Sequence, residues 1–342
     1  MMPSIRKTIR PNLIIGGVVV VVLLGAIFAM VVLRSPALRP PGLGESFTYD
    51  VTALAQTDPS LILYHETENL STGFATTVAI AVGPNDRMYI AGDRSIRSFD
   101  SSGRCVLEID LPDDPRCVTV SGDETIFIGF RDHVEVYSSE GTLRDQWSSL
   151  GSQSLLTSIA VFDGHVFVAD AGRRQVIHYL ISGEQVNIVG QKDEALGAAG
   201  FVVPNPYFDL AAGVDGLLRV ANPGRHRVEF YTFDGSLELW WGEVSMQIEG
   251  FAGCGNPVNI TLLPDGRLVT CEKGLPRVKI YSPQGVFSGV VAGAEQFPDY
   301  RFDGVARDRD GELDVAVDSH GRILVLDTAG QTVRIFVLND AS

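Results

Sequence analysis

Glycines recur in this chain at a spacing that few folds permit. Gly164, Gly216, Gly266 and Gly321 each close a polar turn ahead of a strand rich in β-branched residues. Gly183, Gly235 and Gly285 close a second turn after an alternating strand, and each stands 19 residues beyond its predecessor. Asp-Gly at 215–216, 234–235 and 265–266 is a favoured hairpin turn. The intervening segments align as copies of one unit: HVFVADAGRRQVIHYLISGE from His165, LLRVANPGRHRVEFYTFDGS from Leu217, RLVTCEKGLPRVKIYSPQGV from Arg267 and RILVLDTAGQTVRIFVLND from Arg322. Two weaker copies precede them, RMYIAGDRSIRSFDSSG from Arg87 and TIFIGFRDHVEVYSSEG from Thr125.

Each copy reads as a β-rich strand, a polar turn and a strand of period two. With an inner strand before it and an outer strand after it, the unit is a four-stranded antiparallel meander. Sheets of this kind bury their faces by stacking on their neighbours, as the blades of a propeller do. The inner strands are expected near Val78–Val82, Cys117–Ser121, Ser158–Phe162, Asp209–Val214, Val258–Leu263 and Leu313–Val317. The predicted fold is therefore all-β, a six-bladed β-propeller over residues 58–342. The sixth copy lacks room for an outer strand, so the apolar run Leu61–Tyr64 is expected to supply it and close the ring.

Residues ahead of the repeats have a different character. Leu13–Leu33 is an uncharged apolar run long enough to cross a bilayer core, so 13–33 reads as one transmembrane helix. Arg6, Lys7 and Arg10 precede it and Arg34 and Arg39 follow, a bias that puts residues 1–12 in the cytoplasm and the propeller on the periplasmic or extracellular side. Pro36, Pro40, Pro41, Gly42 and Gly44 mark residues 34–57 as a stalk. The expected location is thus a single-pass membrane anchor. Removing the five basic residues of the first 44 from the total leaves 22 basic against 42 acidic ones. A domain with a net charge near −20 argues against general nucleic-acid binding.

The pattern resembles the NHL-repeat family over residues 60–340. The matching elements are Pro206 and Pro257 before an inner strand, Asp-Gly, an apolar strand, a small polar turn and Arg-Val-x-x-Tyr/Phe. Copies one and two depart from it, because they lack the longer turn between strands two and three. The resemblance implies a propeller but no single activity, since such rings serve as binding scaffolds and as enzymes.

The loops point to a working face. In a meander the turns between strands two and three share a face with the links between blades. From the second turn glycine to the next first turn the distances are 20 and 23 residues early in the chain, then 33, 31 and 36. Insertions gathered on one side of a repeat array mark its binding side. Arg173, Arg174, Arg225, His226 and Lys273 lie on that side, with Asn205 and Asn256 ahead of inner strands. These are the candidate ligand-binding residues, suited to an anionic group. For Arg227 and Arg277 a structural role within the repeat takes precedence.

Four cysteines permit two disulfides, and Cys254–Cys271 is the preferred pair, with free thiols as the alternative. Cys105 and Cys117 flank the first link and are expected to remain unpaired. Asp299, Asp303, Asp308 and Asp310 offer oxygen ligands for calcium, but their spacing is not an EF-hand, and a solvated loop is the simpler reading.

Two functions follow. The first is a membrane-tethered binding platform for an extracytoplasmic protein, peptide or glycan, with no catalytic residues. The second is a metal-dependent propeller enzyme. Related rings imply two versions of it: a lyase with histidine-bound metal, and a lactonase-like hydrolase that holds calcium or another divalent metal through carboxylates and asparagines. The histidines at 65, 133, 165, 178, 226 and 320 do not fall at matching blade positions, which disfavours the lyase version.

Overall fold

The computed structural model describes residues 56–192, 199–253, 255–300 and 313–339. Residues 13–33, read above as a membrane span, lie outside the described residues. Among the described residues no helix is long and apolar enough to cross a membrane.

Six four-stranded antiparallel sheets form the six blades. Blade one contains β2 (Thr77–Val82), β3 (Met88–Gly92), β4 (Ser95–Phe99) and β5 (Cys105–Asp110). Blade two contains β6 (Cys117–Val120), β7 (Ile126–Gly129), β8 (Val134–Tyr137) and β9 (Leu143–Gln146). Blade three runs from β10 (Leu156–Phe162) through β11 (His165–Asp170) and β12 (Gln175–Leu180) to β13 (Gln185–Val189). Blade four has β14 (Leu210–Ala212), β15 (Leu217–Asn222), β16 (Arg227–Thr232) and β17 (Leu237–Trp241). Blade five has β18 (Asn259–Leu262), β19 (Leu268–Glu272), β20 (Arg277–Tyr281) and β21 (Phe287–Ala292). Blade six combines β22 (Leu313–Val317), β23 (Ile323–Asp327) and β24 (Thr332–Leu338) with the first strand of the domain, β1 (Tyr64–Ser71).

All six inner strands fall where the repeat puts them. The turn glycines hold the left-handed backbone their hairpins need, as at Gly183 (φ +84°) and Gly235 (φ +98°). Blade one replaces the longer turn between its second and third strands with the pair Asp93–Arg94, both at positive φ.

The closing strand requires a correction. Ring closure by an N-terminal strand is observed, but the strand is β1, which shares only Tyr64 with the expected Leu61–Tyr64. Pro59–Leu61 instead forms a 3-10 turn, capped by the Asp58 side chain accepting from Ser60 N (2.9 Å). Ile62 then bridges Val290 at the edge of β21. The sequence YHETENLS hides β1, because an outer strand buries little of its surface and tolerates charge along its length.

Among the described residues the core divides into apolar clusters that lie between blades rather than within them. Leu263, Val269 and Val278 meet Val315 and Phe336 between blades five and six. Phe167 and Val176 meet Leu210 and Leu218 between blades three and four. Corresponding clusters fill the other seams, including the one between blades six and one, where Leu324 and Val333 meet Ile80 and Ile90.

A second device joins the blades near the axis. Cross-strand pairing places Ala79, Cys117, Ser158, Asp209, Asn259 and Asp314 at one equivalent position of the six inner strands. In blades three to six this residue is polar and bonds the backbone of the next inner strand. Ser158 Oγ accepts from Leu210 N (3.3 Å) and Asp209 Oδ2 from Ile260 N (2.6 Å). Asn259 Nδ2 donates to Leu313 O (2.8 Å), and Asp314 Oδ2 accepts from Ile80 N (2.9 Å). Blade one has the apolar Ala79 at this position and blade two the thiol of Cys117. Replacing Asp314 by Ala strips Ile80 N of its partner at the closing seam. Urea unfolding should register a loss of about 1–3 kcal/mol, the cost of an unsatisfied buried donor.

Candidate functional site: the channel and its mouth

The inner strands enclose a central channel of about 190 Å³, lined by residues of all six blades. Its polar wall includes Arg116, Thr157, Asp209, Asn259, Thr261 and Asp314. Burial raises the Asp209 carboxyl to about 6, against the opposing effect of the Ser158 hydroxyl and the Ile260 and Leu210 amides. A carboxyl walled in by protein and open only to the channel titrates in this way.

Pro206 and Tyr207 line the channel where the blade-four link enters the inner strand, so this end opens on the loop-rich face. Lys273, from the turn after β19, comes to the same place. Its Nζ lies 4.3 Å from the centre of the Tyr207 ring, a cation–π distance. Assigned by its hydrogen-bonding surroundings, the Asn205 amide places its oxygen toward Lys273 Nζ and its nitrogen as donor to Pro204 O (2.8 Å). Tyr300 reaches in from the link that follows blade five, and its hydroxyl oxygen accepts from Gly274 N in the turn (2.8 Å). Lys273 and Asn205 are thus brought together at the mouth, although they are 68 positions apart in the chain.

The other candidates have different positions. Asn256 is 1 % exposed and its amide is consumed by the Ala252 and Lys273 carbonyls and by Lys273 N. It positions the Lys273 turn and presents nothing to solvent, which corrects its assignment to the working face. Arg173 donates to Leu150 O (2.5 Å), and Arg225 to Ala199 O (3.4 Å). Both brace the link that precedes their own blade. Arg174 is exposed, with φ +57° and no hydrogen-bond or ion-pair partner among the described residues. His226 is half-buried at φ +52°, and desolvation lowers its imidazole pKa despite the nearby Glu272 carboxylate. Arg227 pairs with Glu229 and Arg277 with Glu272, the structural roles expected of them.

Cys271 is a buried free thiol whose pKa is raised by burial. Cys254, the partner expected for it, lies outside the described residues. Cys105, exposed, and Cys117, buried, are in no disulfide. Asp303, Asp308 and Asp310 also lie outside the described residues. Among the described residues, the group of three His, Cys, Asp or Glu donors close enough to share an ion is Asp86, Asp318 and His320. It stands on the turns between first and second strands, away from the mouth, and its carboxylates are already bonded to Ser319, His320 and Arg322.

Sequence reasoning missed Tyr207, Asp209 and Asp314. The signal for the two aspartates is the polar column Ser158, Asp209, Asn259, Asp314, visible once the inner strands are aligned. Tyr207 has no counterpart in that column.

No protein-family model and no curated protein matches the sequence. Solved structures do match in shape. A streptogramin B lyase superposes with a TM-score of 0.55 at 11 % identity, over 82 % of this chain and 100 % of that one. The virginiamycin B lyase of Staphylococcus aureus gives 0.55 at 12 %, over 81 % and 100 %. The WD40 β-propeller domain of Doa1 gives 0.52 at 14 %, over 77 % and 79 %. The likeness is one of fold. At such identities it carries no activity to this chain.

The Asp209 carboxyl makes a checkable pH signature. Between about pH 4 and 6 the folded chain holds its proton while an unfolded aspartate has lost it. Its contribution to stability is therefore full below about pH 4 and disappears as pH rises through 6. Asp209→Asn keeps an acceptor for Ile260 N, and should flatten this segment of the stability–pH curve measured by urea denaturation.

Proposed function

We propose that the chain is a membrane-tethered, extracytoplasmic propeller of the NHL type that acts as a binding platform. It takes an anionic group of a protein, peptide or glycan at the mouth of its channel. The observation that carries this reading is Lys273, placed over Tyr207 beside the channel opening with Asn205 against it. The cation is partly exposed on the loop-rich face, held between the Tyr207 ring and the Asn205 amide, and Arg173 and Arg225 bond backbone carbonyls of the links. The channel wall below supports binding over catalysis, because Asp209, Asn259 and Asp314 already bond neighbouring strands.

Lys273→Glu should weaken capture of an anionic partner by about tenfold or more, the scale of a lost charge-assisted contact. The thermal midpoint should stay nearly unchanged. Arg173→Glu should act the other way, lowering the midpoint more than the affinity, because it releases Leu150 O. Affinity measured by interferometry on the full chain, with glycan and acidic-peptide arrays as probes, separates the two. Equal binding by wild type and Lys273→Glu would remove the mouth from the reading.

One observation favours the catalytic alternative: a carboxyl raised to about 6 inside a channel is suited to proton transfer. Elemental analysis of the full chain purified without chelator tests it. About one divalent ion per chain, lost in Asp209→Asn together with a hydrolytic or lyase activity, would replace the platform by an enzyme. A metal-free chain that retains its fold favours the platform.

A further inference from the structure

Blade four has an outer rim unlike the others. From Val228 to Gly266 the chain contains no lysine, arginine or histidine, and along and just past the outer strand Glu238, Glu243 and Glu249 stand exposed. Large apolar side chains stand exposed among these carboxylates. Trp240 is 52 % exposed and Val244 71 %, with Leu237, Leu239 and Met246 between 41 and 48 %. The remaining outer strands guard their surfaces differently. Strand β1 carries Glu66 and Glu68, β5 carries Glu108 and Asp110, and β9 carries Arg144 and Asp145. Strand β13 exposes Val186 between Gln185 and Asn187, and the edge of β21 is bridged by Ile62. Only on blade four, among the described residues, do three large apolar side chains of one outer strand face solvent. Natural edges usually avoid this.

The rim is also held rigid. The link after β17 folds back through Phe251 N to Glu243 O (2.9 Å) and the bridge of Val244 with Phe251. Below it the buried ammonium of Lys279 donates to Ile248 O (2.9 Å) and Gly250 O (2.6 Å), and the Tyr281 hydroxyl donates to Glu249 O (3.0 Å). Trp240 is supported on one ring face by the Arg227 guanidinium at 4.4 Å. A surface fixed in this way loses little entropy when a partner docks.

We propose that this rim docks a basic, apolar segment of a partner protein. The apolar side chains of the segment pack on Trp240, Val244 and Met246, and its lysines or arginines meet Glu238, Glu243 and Glu249. The acidic rim is complementary to such a segment and repels a second copy of this strongly acidic chain. The surface is separate from the channel mouth and does not depend on the function proposed for it.

The probe is a fluorescent synthetic peptide of about twelve residues alternating valine with lysine, titrated into the full chain reconstituted in zwitterionic nanodiscs. Two controls accompany it: the same peptide with glutamate for lysine, and one with serine for valine. The valine–lysine peptide should bind, shift tryptophan emission and protect amides 237–250 from hydrogen exchange. Trp240→Ser combined with Met246→Ser should weaken it by about tenfold. Because both side chains are exposed, the thermal midpoint should hold, and Lys273→Glu should bind the peptide as wild type does. Three results with the peptides would overturn the proposal: no binding at low salt, equal binding by the serine–lysine peptide, or equal binding by the double variant. Exchange protection by empty nanodiscs at the same amides would assign the rim to lipid instead, and overturn it equally.

Discussion

The pairing of β1 with β24 is the constraint on which the rest of the ring depends. It is antiparallel over Tyr64–Ser71 and Thr332–Leu338, and ties residues some 268 positions apart, as Arg334 with Glu66 shows. Among the described residues every other pairing of named strands is a hairpin between neighbours in sequence, the single bridge of Ile62 with Val290 apart. If this one pairing fails, blade six is a three-stranded sheet with an open edge. The seam of Leu324 and Val333 against Ile80 and Ile90 also depends on it, because blades one and six meet only when the ring is closed. Local hairpins form quickly, but the closure of a long loop must precede any reward from that seam.

Closure alone does not make the halves of the ring equivalent. Blades three to six link their inner strands through Ser158, Asp209, Asn259 and Asp314, whereas blade one has Ala79 and blade two the thiol of Cys117 at that position. The stapled blades are the ones with long links and long turns between strands two and three. Extended loops gain from a stiff base, since a binding group is only as well placed as the strand beneath it. The mouth is built on this half: Tyr207 is two residues ahead of Asp209, and Lys273 is one residue past the end of β19.

Much of the architecture was legible because a turn glycine and a period-two strand are local signals. The six inner strands, the blade count and the short turns of blades one and two follow from them. Strand β1 escaped because its charges, Glu66 and Glu68, carry no apolar period, while the apolar Leu61–Tyr64 imitates one. The site was legible only as a face. Charge at Arg173, Arg225 and Lys273 reads alike in sequence, but the first two end on carbonyls of Leu150 and Ala199, and only the third stands over the channel mouth. Distinguishing them requires knowing which link passes beneath each turn, and that is a tertiary fact. Asn256 shows the same gap: its Asn-Pro neighbour invites comparison with Asn205, yet one amide is fully buried and the other is only partly buried, beside Lys273 at the mouth.

Blade five connects the two surfaces that the chain presents. Its second strand ends at Glu272, whose backbone leads directly into Lys273 and whose carboxylate pairs with Arg277 and Lys279. Lys279 in turn holds the carbonyls under the blade-four rim. Burying two cations and a carboxylate is costly unless each is paired and hydrogen-bonded. Here the ammonium has Glu272, two carbonyls and the Phe251 and Tyr281 rings around it, and burial still lowers its pKa to about 8. An apolar side chain at 279 could fill the space, but it could not grip Ile248 O and Gly250 O. The charge is therefore best understood as the fastening of a loop. It gives a fixed shape to a link that carries exposed apolar residues, and it anchors that link to the strand from which the mouth lysine emerges.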